Sequence, residues 1–257
     1  MFFSQNDLQK LKEEYLKISG KHDRLLEAYL RRSYDDARAR EYAHHGFSRR
    51  LKTLVRCIDN IFKILPPDRA DLPTSEELSD VNINLQAFTF NIYGCVENLA
   101  WIWVCEKTLM KDDGSPIPNE WIGLRKKNTL VRKSFSPEFL EYLDGLENWF
   151  DHLENFRHAV AHRIPFYVPP YMITEDKIAA YRDLENRITD ALNHGALEDY
   201  DHLSAEQDAL GVFRPVMTHS FIEDARHVVF HPQLFADFNT IEEFGWKMLE
   251  ELDRYPP

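Results

Sequence analysis

Apolar residues recur three and four positions apart along most of the chain, which is the period of an amphipathic helix. Over residues 5 to 42, Leu8, Leu11, Tyr15 and Ile18 are followed by Leu25, Leu26, Tyr29 and Leu30, with Gly20 between the two groups. The pattern predicts two helices broken near Gly20. Phe47, Leu51, Leu54, Val55, Ile58, Ile61, Phe62 and Leu65 define the next helix, and Pro66-Pro67 must end it because proline cannot continue the hydrogen-bond ladder. After the polar stretch 68–74, Ser79 or Asp80 is expected to cap a long helix running to about Met110. Its apolar residues, among them Leu85, Phe88, Ile92, Val96, Leu99, Ile102 and Trp103, occupy more than one stripe, so this helix is predicted to be central and buried.

Residues 111–118 form a turn-rich loop around Asp113-Gly114. Ser136-Pro137-Glu138 reads as a cap followed by a helix-starting proline. From there Phe139, Leu143, Leu146, Phe150, Leu153, Phe156 and Val160 carry one helix to His162, in the last turn before Ile164-Pro165. The aromatic, proline-rich run 165–173 predicts an extended strap across the helices. Thr174 is expected to cap a further, charge-rich helix closed by Gly195, with Ser204 and Gln207 as a small capping box. Val212 to Met217 is the one plausible strand, and Thr240 with Glu243 should start the last helix. The expected class is mainly α: an antiparallel helical bundle with additional N-terminal helices, an inserted helical segment and at most one short β hairpin or strand.

Composition agrees with a single helical domain over residues 1–257: hydrophobic residues make up 44% of the chain, enough for a sizeable core, and only nine are glycine. No apolar run approaches the length of a membrane span, and Met1-Phe2-Phe3 runs directly into polar residues, so a cytoplasmic protein without membrane contact is expected. Cys57, Cys95 and Cys105 lie inside helical patterns without a CxxC pair, which predicts reduced, buried thiols. The formal net charge of -12 excludes a protein that coats nucleic acid by bulk electrostatics, so any phosphate must meet a local basic patch. Arg125, Lys126, Lys127, Arg132 and Lys133 form the best candidate patch, with Arg163 beside the motif described next. Arg49, Arg50, Lys52 and Arg56 read as a solvated face of their helix.

Candidate chemistry concentrates in Arg157-His158-Ala159-Val160-Ala161-His162. Arginine offers a permanent fork of donors to phosphate oxygens, and a histidine near neutrality moves protons. Together they are the tools of RNA cleavage without a metal or cofactor. On an ideal helix Arg157 and His162 point about 140° apart, which asks for the reach of arginine, a distorted last turn or a second copy of the chain. In the preceding long helix Asn91, Glu97 and Asn98 need partners if buried, and Glu97 and Asn98 are the candidate supporting residues. A rival set, Glu154, His158 and His162, recurs every four residues as metal ligands do, with His219, His227 or His231 available to complete it. A third reading is a helical binding module in which Arg157 and His158 pair with acids and His162 caps carbonyls. His44 and His45 have no assigned role.

The Arg157-His158-xxx-His162 arrangement at a helix end resembles the motif of the HEPN superfamily, an arginine and a histidine separated by four to six residues of which the first is polar. The resemblance implies a HEPN-type bundle core over about 44–165 and 240–254, with 1–42 as an N-terminal extension and 174–211 as an insertion. It implies Arg157 and His162 as the catalytic pair, His158 as the polar accompaniment, RNA as substrate, and a homodimer that joins two motifs in one cleft. It also implies a toxin–antitoxin or phage-defence setting with an antitoxin as protein partner, while some relatives bind nucleotides or proteins without cutting. Ile164 stands where one branch carries a modified tyrosine, so that form of regulation is not implied.

Overall fold

The computed structural model describes residues 2–220 and 227–254. Helix α1 spans Gln5–Arg31, opened by Ser4, whose hydroxyl accepts from the Asp7 amide. It runs unbroken through Gly20, against the two-helix expectation. Leu11, Ile18, Leu25 and Tyr29 bury one continuous face, and that burial outweighs the ~1 kcal/mol a helical glycine costs. Helix α2, Ala37–Glu41, passes directly into a turn of π-helix, Tyr42–Phe47, and on into α3, Ser48–Ile64. Leu65 closes α3 before the two prolines, as expected.

Helix α4, Ser75–Glu106, is the spine of the bundle. Its cap is Thr74, paired reciprocally with Glu77 in a capping box, and not Ser79 or Asp80, which lie in its second turn. Arg69 grips Glu77 through Nη1 and Nη2, and those bonds hold the Glu77 carboxyl down at about 2. The helix stops at Glu106, short of Met110, and Thr108 follows at a φ of 46°. Buried Glu106 accepts from the Asp35 and Asp36 amides at 3.2 and 3.3 Å, tying the α1–α2 connection to α4.

The stretch read as one helix from Pro137 to His162 is two, α6 (Pro137–Gly145) and α7 (Glu147–His162), after the single turn α5 (Thr129–Arg132). Ser136 caps α6 as expected and also donates to buried Glu251 at 2.8 Å. The strap 165–173 crosses α4: Phe166 and Val168 are buried, Gln86 donates to the Phe166 carbonyl, and the Val168 amide donates to Asn82. Helices α8 (Ile178–Asn193) and α9 (Leu197–Asp208) form a hairpin turned by Gly195 at φ 68°. Thr174 precedes a 3-10 turn and makes no side-chain cap, and Ser204 lies inside α9 rather than at its start.

Strands β1 (Val216–Met217) and β2 (Val228–Val229) pair antiparallel, Val216 opposite Val229. Helix α10 spans Phe230–Arg254. Thr240 is therefore an interior residue, donating its hydroxyl to the Ala236 carbonyl. Pro232 is tolerated because it falls in the first turn, where the amide has no helical partner. The fold is thus a mainly α helical bundle, with α4 packed against α3, α7 and α10, and α1 laid over α3 and α10. Cys57 and Cys95 are buried free thiols, and Cys105 is half-buried. Among the described residues no helix is long and apolar enough to cross a membrane.

Candidate functional site

Helix α7 buries Phe150, Leu153, Phe156 and Ala159 against the bundle, a spacing of three that turns Glu154, Arg157, His158 and His162 outward. The helix ends at His162 because Ile164 precedes a proline, and Arg163 already leaves helical dihedrals at φ -125°, ψ -139°. Arg157 Nη1 nevertheless reaches His162 Nε2 at 3.4 Å. The length of the arginine side chain bridges the 140° separation. The pair closes within one chain, so the geometric reason for invoking a second copy falls away. A guanidinium can only donate, so Nε2 is the accepting atom of this contact.

The Arg157 guanidinium lies over the Tyr93 ring of α4, 5.2 Å from its centroid. Burial and the neighbouring Glu97 and Glu154 carboxylates raise the Tyr93 hydroxyl above its ordinary value, so at neutral pH it is protonated. His162 is exposed, and Arg157 and His158 are half-buried. The His158 and His162 rings lie 5.8 Å apart.

The flanking basic cluster is differently engaged. Arg125 donates to both Asp151 and Glu154, Lys127 sits 3.4 Å from Glu154, and Lys126 donates its amide to Glu147. Arg132 is buried, bonded to the Leu124 carbonyl at 2.9 Å and to Asp144 at 2.5 Å. These cations clamp the 119–133 segment onto α6 and α7, and a phosphate would have to compete with the carboxylates. Lys133 is exposed, and Arg163 donates to the backbone and side chain of Asn155. The same contacts bear on the metal set. Glu154 is occupied by Arg125 and Lys127, His158 stands 3.9 Å from it, and His231 is committed to the Leu65 carbonyl. Among the described residues no three His, Cys, Asp or Glu side chains are arranged to hold a metal ion.

Of the two supporting residues, Glu97 is exposed on α4 near Tyr93, whereas Asn98 is buried and turned to α3. There its Oδ1 accepts from Arg50 Nε at 3.1 Å. Asn98 thus belongs to a second constellation, apart from the Arg157–His162 pair. A cleft of about 510 Å³ opens at the π-turn, lined by Arg38, His45, Arg49, Arg50, Asn91 and Asn98 together with Glu41, Tyr42, Gly46 and Thr53. The available signal was His44-His45 beside Arg49-Arg50, with two asparagines seven residues apart on the facing helix.

No known family's sequence profile matches the chain, and no curated protein or solved structure is significantly similar to it.

Proposed function

We propose that the chain is a HEPN-like, metal-independent endoribonuclease whose reacting groups are Arg157 and His162. The observation that carries this reading is the 3.4 Å approach of Arg157 Nη1 to His162 Nε2 at an accessible helix end. When a phosphodiester arrives, its oxygens compete for the guanidinium and free Nε2. The imidazole then takes the proton of a ribose 2′-hydroxyl, whose oxygen attacks phosphorus while Arg157 stabilises the charge on the phosphoryl oxygens. The bond to the 5′-oxygen breaks, and that oxygen takes a proton from a second acid, His158 or the His162 of a second copy. The products are a 2′,3′-cyclic phosphate and a 5′-hydroxyl.

A homodimer brings two pairs together and supplies that second acid in trans; a toxin–antitoxin or defence role in the cytoplasm fits such an activity. Incubating RNA with the protein in EDTA, followed by end-group analysis, tests the reading. Wild type should yield 2′,3′-cyclic ends, and Arg157→Ala and His162→Ala should each lose about a hundredfold or more in rate. Equal cleavage by both variants removes the site. RNA binding without cleavage by wild type leaves the non-catalytic binding module. Sedimentation velocity separates the two acid assignments, because a strict monomer that still cuts leaves only His158.

A further inference from the structure

Arg50 projects from α3 into the groove beside α4, half-buried. Its Nε donates to Asn98 Oδ1 at 3.1 Å and its Nη1 to Asn91 Oδ1 at 3.2 Å. Asn91 is fixed in turn by donating to the Ala87 carbonyl at 2.8 Å. Two glycines make room for this arrangement. A side chain at Gly94 would collide with the guanidinium itself, and a Cβ at Gly46 would stand 2.9 Å from the Asn98 amide. Gly46 lies in the π-turn, a deformation that recurs at functional sites.

Two backbone positions and two amides therefore hold a cation whose acceptors are all neutral. Nη2 and one hydrogen of Nη1 are left over from the five donors of the fork. Arg49 lines the same cleft with Nη2 3.3 Å from His45 Nδ1, and Arg38, set over the Trp101 ring at 5.3 Å, lines it too. Among the described residues none of these three guanidiniums forms an ion pair, and Glu41 is the one carboxylate in the lining. In an acidic chain whose other basic cluster is neutralised by Asp144, Glu147, Asp151 and Glu154, three guanidiniums share one cleft without a paired carboxylate, Arg50 half-buried and Arg38 and Arg49 open to solvent. They match an oxyanion with several charged oxygens, which guanidinium forks bind in pairs.

We propose that the π-turn cleft is a phosphate-binding site, with Arg50 as the fixed fork and Arg49 and Arg38 closing on the same group. The phosphate comes either from a free nucleotide or from a polynucleotide backbone. Gly94, under Arg50, directly follows Tyr93, under Arg157, so the two cationic sites occupy one turn of α4. A polynucleotide source, one strand engaging both, rests on the ribonuclease reading; the phosphate site itself does not.

The test is calorimetric titration of the full-length protein at low salt with inorganic pyrophosphate, a ribonucleoside triphosphate, and a 2′-O-methyl RNA 12-mer that cannot be cut. Arg49→Ala, on the exposed face, and Arg50→Lys, which keeps charge but loses the fork, should each weaken pyrophosphate binding about tenfold or more. Lys52→Ala, outside the cleft, should leave it unchanged. Arg157→Ala and His162→Ala should keep the pyrophosphate site that Arg49→Ala loses, so loss of cleavage and loss of this site are separable. Displacement of the 12-mer by pyrophosphate, with tighter binding of the 12-mer than of the triphosphate, identifies the backbone as the source; the reverse order identifies a free nucleotide. If none of the three ligands binds, or if binding is the same in Arg49→Ala and wild type, the proposal is overturned, whatever the folding of Arg50→Lys.

Discussion

His231 and Asp237 are polar residues on the buried face of α10, and their ionisation opposes one another. His231 has no exposed surface, donates Nε2–H to the Leu65 carbonyl at 2.7 Å, and is ringed by Phe3, Phe62 and Phe230. Burial drives its pKa down to about 4, from the ordinary histidine value of 6.5. The unfolded chain then binds a proton that the folded chain refuses, so stability is lost as pH falls from about 6.5 to about 4, on the order of 3 kcal/mol. Asp237, accepting from Trp149 at 2.9 Å and Gln233 at 2.8 Å, is pushed by burial up to about 6. Here the folded chain holds the proton more tightly, so stability is gained as pH falls from about 6 to about 4. Urea unfolding at pH 7 and pH 4.5 should therefore show His231→Gln less acid-sensitive than wild type and Asp237→Asn more so. The same direction of change in both variants would contradict the assignment.

At the scale of elements, the legible parts were those set by adjacent residues. Pro66-Pro67 stopping α3 and Ser136-Pro137 opening α6 need no tertiary information. Periodicity alone places the start of α10 ten residues late because His231 and Asp237 stand on its inward face and interrupt the apolar stripe. Thr74 is hard to recognise as the cap because the first turn of α4, Ser75-Glu76-Glu77, carries no apolar residue. The spacing of Arg157 and His162 is legible in the chain, but their approach depends on the reach of one side chain. The π-turn cleft was not legible, since Arg50, Gly94 and Asn98 meet only when α3 packs on α4. Gly20 gives the sharpest disagreement. With α1 continuous and nothing but Arg24 Nη1 near its absent Cβ, at 3.4 Å, Gly20→Ala should raise stability by about 0.5–1 kcal/mol. Denaturant titration measures this, and a loss of similar size would restore the two-helix reading.

At the scale of the molecule, the bundle and the α8–α9 hairpin have separate interiors. Leu184, Ala191 and Leu203 form a small cluster with Ile188, Tyr200 and Leu210, apart from the core that joins α1, α3, α4, α7 and α10. The hairpin leaves and rejoins the bundle through paired backbone: Met172 and Val212 exchange both amide bonds at 2.9 and 3.0 Å, and Tyr167 and Thr218 do the same at 2.9 and 3.1 Å. Its principal packing is α8 on α9, and it contributes no side chain to the Arg157–His162 pair or to the π-turn cleft. Replacing residues 174–210 by a short Gly-Asn turn keeps the Met172–Val212 exchange and closes a much shorter loop, which lowers the entropy cost of joining its ends. The excised protein should melt within a few degrees of the full chain and retain both pyrophosphate binding and RNA cleavage. A molten product in near-UV circular dichroism would mean that the hairpin supports the bundle. Intact folding with loss of RNA cleavage, but not of pyrophosphate binding, would instead assign α8 and α9 to gripping the polynucleotide beyond the reacting pair.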